Sequence, residues 1–379
     1  MAFLRAQLGK QALTIFVTLV VWVLPGSAAL RTLAQETDTY DHPWYVFVRH
    51  DVDAESHNEL IFVDMLTGDE VTIVSFGERY TITESGVIFF DPVNNTVMLG
   101  TPDGALREHP FIRSTPDTHR IEWVISDDGS HVAWTVTRFD SQNRLTTSTA
   151  VANIDGTHQR VVLTDVDTSE SNMRVFPMGF SEDNKTLYID NAHLDGITQY
   201  IAFAQYVSVF ALDLETTVPA LMPGEQGNCI CGADLAAGRF LRLRLTRDLK
   251  FDLYVLDLQE DTETVIPALR LEDHDYTTAG DVLISPDGTR AVYALSEIGD
   301  FGATQQPIRT VFVLADLESM TQTTLTNPLT TFVRPVQWTD DNSAIIFTSP
   351  TQDGTWKISL SDGRLDRIAE STYIGTLRG

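Results

Sequence analysis

Apolar and polar residues alternate in short runs along most of this chain, and pairs such as Asp-Gly and Asp-Asn punctuate the runs. Alternation with a period of two predicts strands with one buried face. Asp-Gly between two such runs predicts a tight hairpin, because glycine accepts the positive φ of the turn. Four stretches carry the pattern in full. Each has an aromatic or apolar residue, then Ser or Thr, then Asp-Gly or Asp-Asn, then a β-rich run. They are residues 123–129 before 131–134, 180–184 before 186–189, 283–288 before 290–293, and 338–342 before 344–347.

Extended along the chain, the pattern gives seven units. Each contains a segment ending in a turn that carries Asp, at Asp64, Asp103, Asp155, Asp213, Asp257, Asp316 and Asp362. The spacing of 39 to 59 residues suits a four-stranded blade with loop insertions. The expected fold is therefore all-β, a single seven-bladed β-propeller of four-stranded antiparallel blades. In the third unit the strands fall at 121–126, 131–138, 148–154 and 159–163, named A to D from the axis outward. The second unit is compressed, with strands near 80–83, 86–90, 97–100 and 106–109. The fifth is degenerate, with strand A expected at 229–234, B at 239–245 and C at 251–258. The first begins directly with a B-type strand, 44–48, followed by C at 59–63, and lacks strand A. The tail at 372–377 has the length and position to supply it. Closure by that tail is expected, since an unclosed ring leaves bare strand edges.

Loop length adds a functional clue. A–B and C–D turns read as tight. B–C connections read as long in blade three (139–147), blade four (190–205) and blade six (296–309). B–C and D–A connections share one face of a propeller, so these insertions gather on one side. They carry His193, Tyr200, Phe203, Asp300, Phe301 and Gln305, the residue types of a binding face on a rigid scaffold. Tolerated drift of surface loops is the competing account.

Arg239, Arg242, Arg244, Arg247 and Lys250 form the one basic cluster. Alternation in residues 240–245 puts Arg242 and Arg244 on one face and three leucines on the other. A blade is covered by neighbours, and a buried unpaired charge is costly. The two arginines must therefore pair between blades or form an anion site, for a carboxylate-bearing sugar or a peptide terminus. Cys229 and Cys231 would face one side of the fifth strand A. They read as small buried apolar residues, as a local disulfide or as weak soft-metal candidates. The Asp-rich turns lack the spacing of a calcium loop, and tight turns need Asp and Asn anyway. There is no Gly-x-Ser-x-Gly, no His-Glu-x-x-His and no phosphate-binding glycine loop, and the nine histidines are dispersed. No catalytic residue, cofactor or resident metal is assigned.

The N-terminus follows a different pattern. Arg5 and Lys10 precede an apolar run at 12–24, and small residues follow at 25–29. That order reads as a secretory signal over 1–29, with an uncleaved anchor as the alternative. Residues 30–43 read as a linker and 44–379 as the propeller. The expected location is secreted or periplasmic, off the membrane after cleavage. Asp and Glu number 53 against 26 Lys and Arg, a net charge of −27. Such a field repels nucleic acid and anionic membranes and suits cations and basic partners. Two cysteines make no disulfide framework. A monomer is expected.

Ser-Pro-Asp-Gly at 285–288, followed by Ala291-Val-Tyr293 and by 310–316, resembles the TolB-type, WD-repeat-like propeller repeats, over essentially 44–377. The resemblance implies the fold and leaves function open. That family spans periplasmic adaptors, propeller domains of prolyl-oligopeptidase-like hydrolases and some polysaccharide lyases. The function expected is an extracytoplasmic module that binds a protein, peptide or glycan through its long-loop face. The alternatives are a propeller enzyme acting on a polysaccharide, as lyase or glycosidase, and an envelope-assembly adaptor similar to TolB.

Overall fold

The computed structural model describes residues 40, 42–50, 57–142, 144–166, 173–193, 203, 206–224, 232–271, 275–298 and 308–378. The described residues form seven four-stranded antiparallel sheets in a ring and no helix. Blade one holds β1 (Trp44–His50), β2 (Asn58–Asp64) and β3 (Glu70–Ser75). Blade two is β4 (Glu78–Thr83), β5 (Gly86–Asp91), β6 (Thr96–Gly100) and β7 (Leu106–Glu108). Blade three is β8 (Thr118–Ile125), β9 (His131–Phe139), β10 (Leu145–Asn153) and β11 (Arg160–Val166). Blade four is β12 (Met173–Phe180), β13 (Thr186–His193), β14 (Val209–Asp213) and β15 (Pro219–Leu221). Blade five is β16 (Ala233–Ala236), β17 (Arg239–Leu245), β18 (Phe251–Asp257) and β19 (Thr262–Ile266). Blade six is β20 (Thr278–Ile284), β21 (Arg290–Ile298), β22 (Ile308–Asp316) and β23 (Thr321–Thr324). Blade seven is β24 (Arg334–Trp338), β25 (Ala344–Ser349), β26 (Gln352–Ser359) and β27 (Leu365–Ala369).

The last strand, β28 (Thr372–Leu377), returns to blade one and pairs antiparallel with β1, Trp44 opposite Leu377 and Tyr45 opposite Thr376. It touches β4 and β24, which makes it the innermost strand of blade one. Leu377 is fully buried, and Tyr373 packs on Phe47 with ring centroids 5.5 Å apart. The ring closes as the missing strand A required.

Middle strands are buried on both faces because neighbouring blades cover them, as in β9, where six consecutive residues are buried. Outer strands such as β7 and β15 are exposed throughout. Apolar clusters lie between adjacent blades. One joins Ile88 and Leu99 to Trp134, another joins Leu243 to Tyr293, and a third joins Phe62 to Phe89. Tyr40 and His42, placed in the linker by the sequence, dock on this last region. The Tyr40 hydroxyl donates to Ser85 O at 3.0 Å, and His42 pairs with Asp64.

Two element boundaries differ from expectation. The B–C connection of blade three is only 140–144, because β9 and β10 extend into the hairpin. Asp140 closes that hairpin, accepting from the Gln142 and Arg144 amides at 2.8 and 2.9 Å. The innermost strand of blade five starts at Ala233 and is four residues long, later and shorter than 229–234. It turns into β17 through Ala237 and Gly238 alone, at φ 48° and 66°.

Candidate functional site

Of the sequence-selected residues that are described, Phe203 and Arg242 lie in different parts of the ring. Tyr200, Asp300, Phe301, Gln305, Cys229 and Cys231 lie outside the described residues. His193 ends β13, its backbone opposite Met173. Phe203 is only 4% exposed, inside the apolar cluster of blades six and seven with Phe312, Val333 and Phe347. Its ring meets Phe332 edge-on at 5.7 Å. The B–C connection of blade four thus places Phe203 among residues of blades six and seven. There it is an anchor buried in the core and offers no surface to a ligand.

Arg242 is also buried, at 0% exposure, and faces blade four with Phe240 while Leu241 and Leu243 face blade six. Its Nη2 donates to Val207 O at 3.0 Å. Asp190 on β13 accepts from the amides of Val207 and Ser208 at 2.9 and 2.8 Å and lies within electrostatic reach of Arg242. Burial pushes the Asp190 carboxyl up to about 6, against the pull of those amides and of Arg242. Arg244 pairs with Asp252 on the neighbouring strand at 3.6 Å. Of the two expectations for these arginines, inter-blade pairing describes Arg242, and Arg244 pairs within its own blade.

Each innermost strand runs from the long-loop face to the opposite face, where the tight A–B turns lie. Residues early in these strands therefore line the channel near the long loops. Arg79 on β4 and Arg120 on β8 share the carboxylate of Glu122. Arg79 also lies over Phe90 and Trp123, and Arg120 over Phe176. Arg334 on β24 forms a two-pronged pair with Asp281 on β20, at 2.9 and 3.1 Å. A bulge in β20, with Asp281 at φ 52°, re-aims that carboxylate. Burial works against the Arg334 charge, and Asp281 more than offsets it, leaving the guanidinium pKa above its ordinary value. Burial raises the Tyr206 hydroxyl pKa well above the ordinary value, and the fields of Asp234, Asp190, Asp281 and Glu122 add to it. These carboxylates come from blades three to six, which places Tyr206 near the axis. The polar groups at this end are largely satisfied by one another.

The other end of the channel is open. A cavity of about 990 Å³ lies where the innermost strands finish, on the turn face. Thr83, Ile82, Trp123, Met178, Phe180 and Leu235 supply much of its wall, and Glu84, Asp127, Asp128, Asp234 and Arg378 its charge. Asp234 accepts from the Ile284 amide of the next blade at 2.7 Å, and burial pushes its carboxyl up to about 6. Asp127 is exposed in the A–B turn of blade three and accepts no hydrogen bond among the described residues. Partial burial, Asp128 and Glu182 all raise its pKa. Trp123 is 8% exposed, and its Nε1 donor has no partner among the described residues. A second cavity of about 410 Å³ adjoins the first and shares Asp127, Phe180 and Leu235 with it.

Sequence reasoning missed this mouth. Turn geometry accounts for Asp128 and leaves Asp127 over. Asp128 accepts from Ser126 Oγ, Ser130 and Asn184, and its pKa lies far below the ordinary range. The signal was available, because the turn consumes one carboxylate and the chain supplies two. Among the described residues, no group of three or more His, Cys, Asp or Glu side chains is placed to hold a metal ion.

No family model matches this chain, and no curated protein does. Solved structures do match. The chain is similar to a prolyl endopeptidase at TM-score 0.57 and 12% identity, covering 87% of this chain and 50% of that one. It is similar to an oligogalacturonate lyase in complex with manganese at 0.54 and 10%, covering 83% of each chain. It is similar to the Pseudomonas aeruginosa periplasmic gluconolactonase PpgL at 0.51 and 12%, covering 88% and 98%. TolB structures are also among the matches, at 0.40 and 0.43. The first three likenesses define the class of protein, a β-propeller, and at such identities they carry the fold alone.

Proposed function

We propose that this chain is an extracytoplasmic binding module that takes a cation-bearing ligand into the axial cavity on its turn face. The secretory pattern of residues 1–29 supports the location. The face differs from the one expected from loop length. The observation that carries the reading is Asp127, an exposed carboxylate without a hydrogen bond, at the junction of two cavities and close to two like charges. An ammonium or guanidinium there relieves that repulsion and favours the ionised carboxylate. The apolar wall suits the remainder of a ligand. The net charge of −27 draws such a ligand in.

The test is a peptide and glycan array on residues 30–379, followed by titration calorimetry, with and without EDTA. Basic peptides are expected to bind, more weakly at high salt. Asp127→Asn should weaken them about tenfold, on the order of the 1.4 kcal/mol of one charge-assisted contact, at unchanged melting temperature. Full affinity in that variant sinks the reading. A second reading, glycoside hydrolysis, draws on one observation, that Asp127 and Asp234 share the cavity and both have raised pKa values. Release of reducing sugar from an array glycan, lost in Asp234→Asn, would establish that reading in place of the first.

A further inference from the structure

The adjoining cavity between blades four and five extends the proposed site outward, so the role inferred for it rests on that reading. The cavity arises from the degenerate turn of blade five. In blades three, four, six and seven the A–B turn holds a Ser or Thr whose hydroxyl donates to an Asp two residues on: Ser126 to Asp128, Ser181 to Asp183, Ser285 to Asp287 and Thr339 to Asp341. Two of these turns are tied to the turn of the preceding blade. Asn184 Nδ2 donates to Asp128 at 2.8 Å, and Asn342 Nδ2 donates to Asp287 at 3.0 Å. Blade five has only Ala237 and Gly238 at this place, with no side chain to reach back to blade four. The space a full turn would occupy is the cavity of about 410 Å³.

Its lining is two-sided. Phe180, Tyr188, Leu235 and Leu258 give an apolar wall. Asp127, Glu182 and Asp183 stand against one guanidinium, Arg239. Glu182 is exposed and accepts no hydrogen bond among the described residues, whereas Asp183 is used by its own turn. The groove joins the axial mouth at Asp127, Phe180 and Leu235.

We infer that the groove between blades four and five holds an extended basic peptide segment running outward from the axial cavity. In extended backbone, alternate side chains point to opposite sides. A segment alternating cationic and apolar residues presents one row to Asp127 and Glu182 and the other to Phe180, Tyr188 and Leu258. A compact cation fills the axial mouth alone and gains nothing from the groove.

The experiment compares two synthetic amides by calorimetry, trilysine and an eight-residue alternating Lys-Leu peptide, on residues 30–379. The octapeptide is expected to bind at least tenfold more tightly than trilysine. Glu182→Lys should remove that gain, bringing the two affinities together, while both fall because the Glu182 field at Asp127 is reversed. Asp127→Asn should weaken both. Glu318→Lys makes the same charge change in an exposed turn of blade six and should preserve the gain. Equal affinity for the two peptides, or an equal loss in Glu318→Lys, overturns the groove while the axial reading stands. Failure of both peptides to bind overturns the axial reading as well.

Discussion

The Ser285 hydroxyl donates to Asp287 at 2.6 Å, the Thr289 amide donates to the same oxygen at 3.0 Å, and the second oxygen is left for Asn342 of the next blade. One carboxylate thus closes its own turn and ties two blades. The residue after the aspartate takes positive φ in every such turn, Gly129 at 71° and Gly288 at 68°, Asn184 at 56° and Asn342 at 54°. Where it is Asn, the side chain reaches back to the preceding blade. Asn342→Ala therefore loses the bond and places an ordinary side chain in the left-handed region, at a combined cost of about 1–2 kcal/mol. Asn342→Gly loses only the bond and should cost about half as much. Urea unfolding of the two variants checks the order, and equal midpoints would remove the inter-blade role. The turns themselves were legible in the sequence, because Ser, Asp and Gly act within five residues. The ties were not, since Asn342 meets a partner 55 residues away.

Elements show the same division between local and distant information. Strand alternation and turn spacing placed β8 to β11 within a few residues, and the absent first strand A pointed correctly to β28. Loop length told where the chain leaves a blade and nothing about where it goes. Phe203 read as a binding residue because it sits in a long connection, yet it is packed among Phe312, Phe332 and Phe347. A sequence pattern within blade four carries no record of the space between blades six and seven. Phe203→Ala should consequently cost about 3 kcal/mol, the range for removing a buried ring, although the residue belongs to no strand. An exposed ligand contact would cost less than about 0.5 kcal/mol. Thermal unfolding separates the two, and a melting temperature equal to wild type would return Phe203 to the surface. Arg242 was legible in part. Its burial followed from alternation in β17, but its partners, Val207 and Asp190, depend on how the blade-four connection is tied down.

Across the whole molecule, two kinds of aspartate oppose each other in the response to pH. Turn carboxylates such as Asp287 and Asp341 are held at about 2 by the hydroxyls and amides that donate to them. Asp234 is pushed up to about 6 by burial, and no cation among the described residues offsets it. For a depressed carboxyl the unfolded chain takes up the proton first, so its stabilisation is present above about 4 and is lost as pH falls toward 2. For the raised one the folded chain takes up the proton first. Stability is therefore gained as pH falls from 7 through 6 toward 4, and is missing at neutral pH. Relief of repulsion in a chain of net charge −27 acts in the same direction over that upper window. Maximum stability is expected between about 4 and 6. The variant that isolates the buried group is Asp234→Asn, which keeps an acceptor for the Ile284 amide and abolishes the titration. A shift of about two units corresponds to about 3 kcal/mol in all, of which about 1.4 kcal/mol is gained between pH 7 and pH 5, so the rise in unfolding free energy from urea titration between those pH values should shrink by about that amount in the variant. The fall below pH 4 should be the same in both proteins, because it belongs to the turns. An undiminished rise in Asp234→Asn would assign the upper window to net charge and to Asp190, which burial also pushes up to about 6, and Asp234 would then be an ordinary carboxylate at the channel mouth.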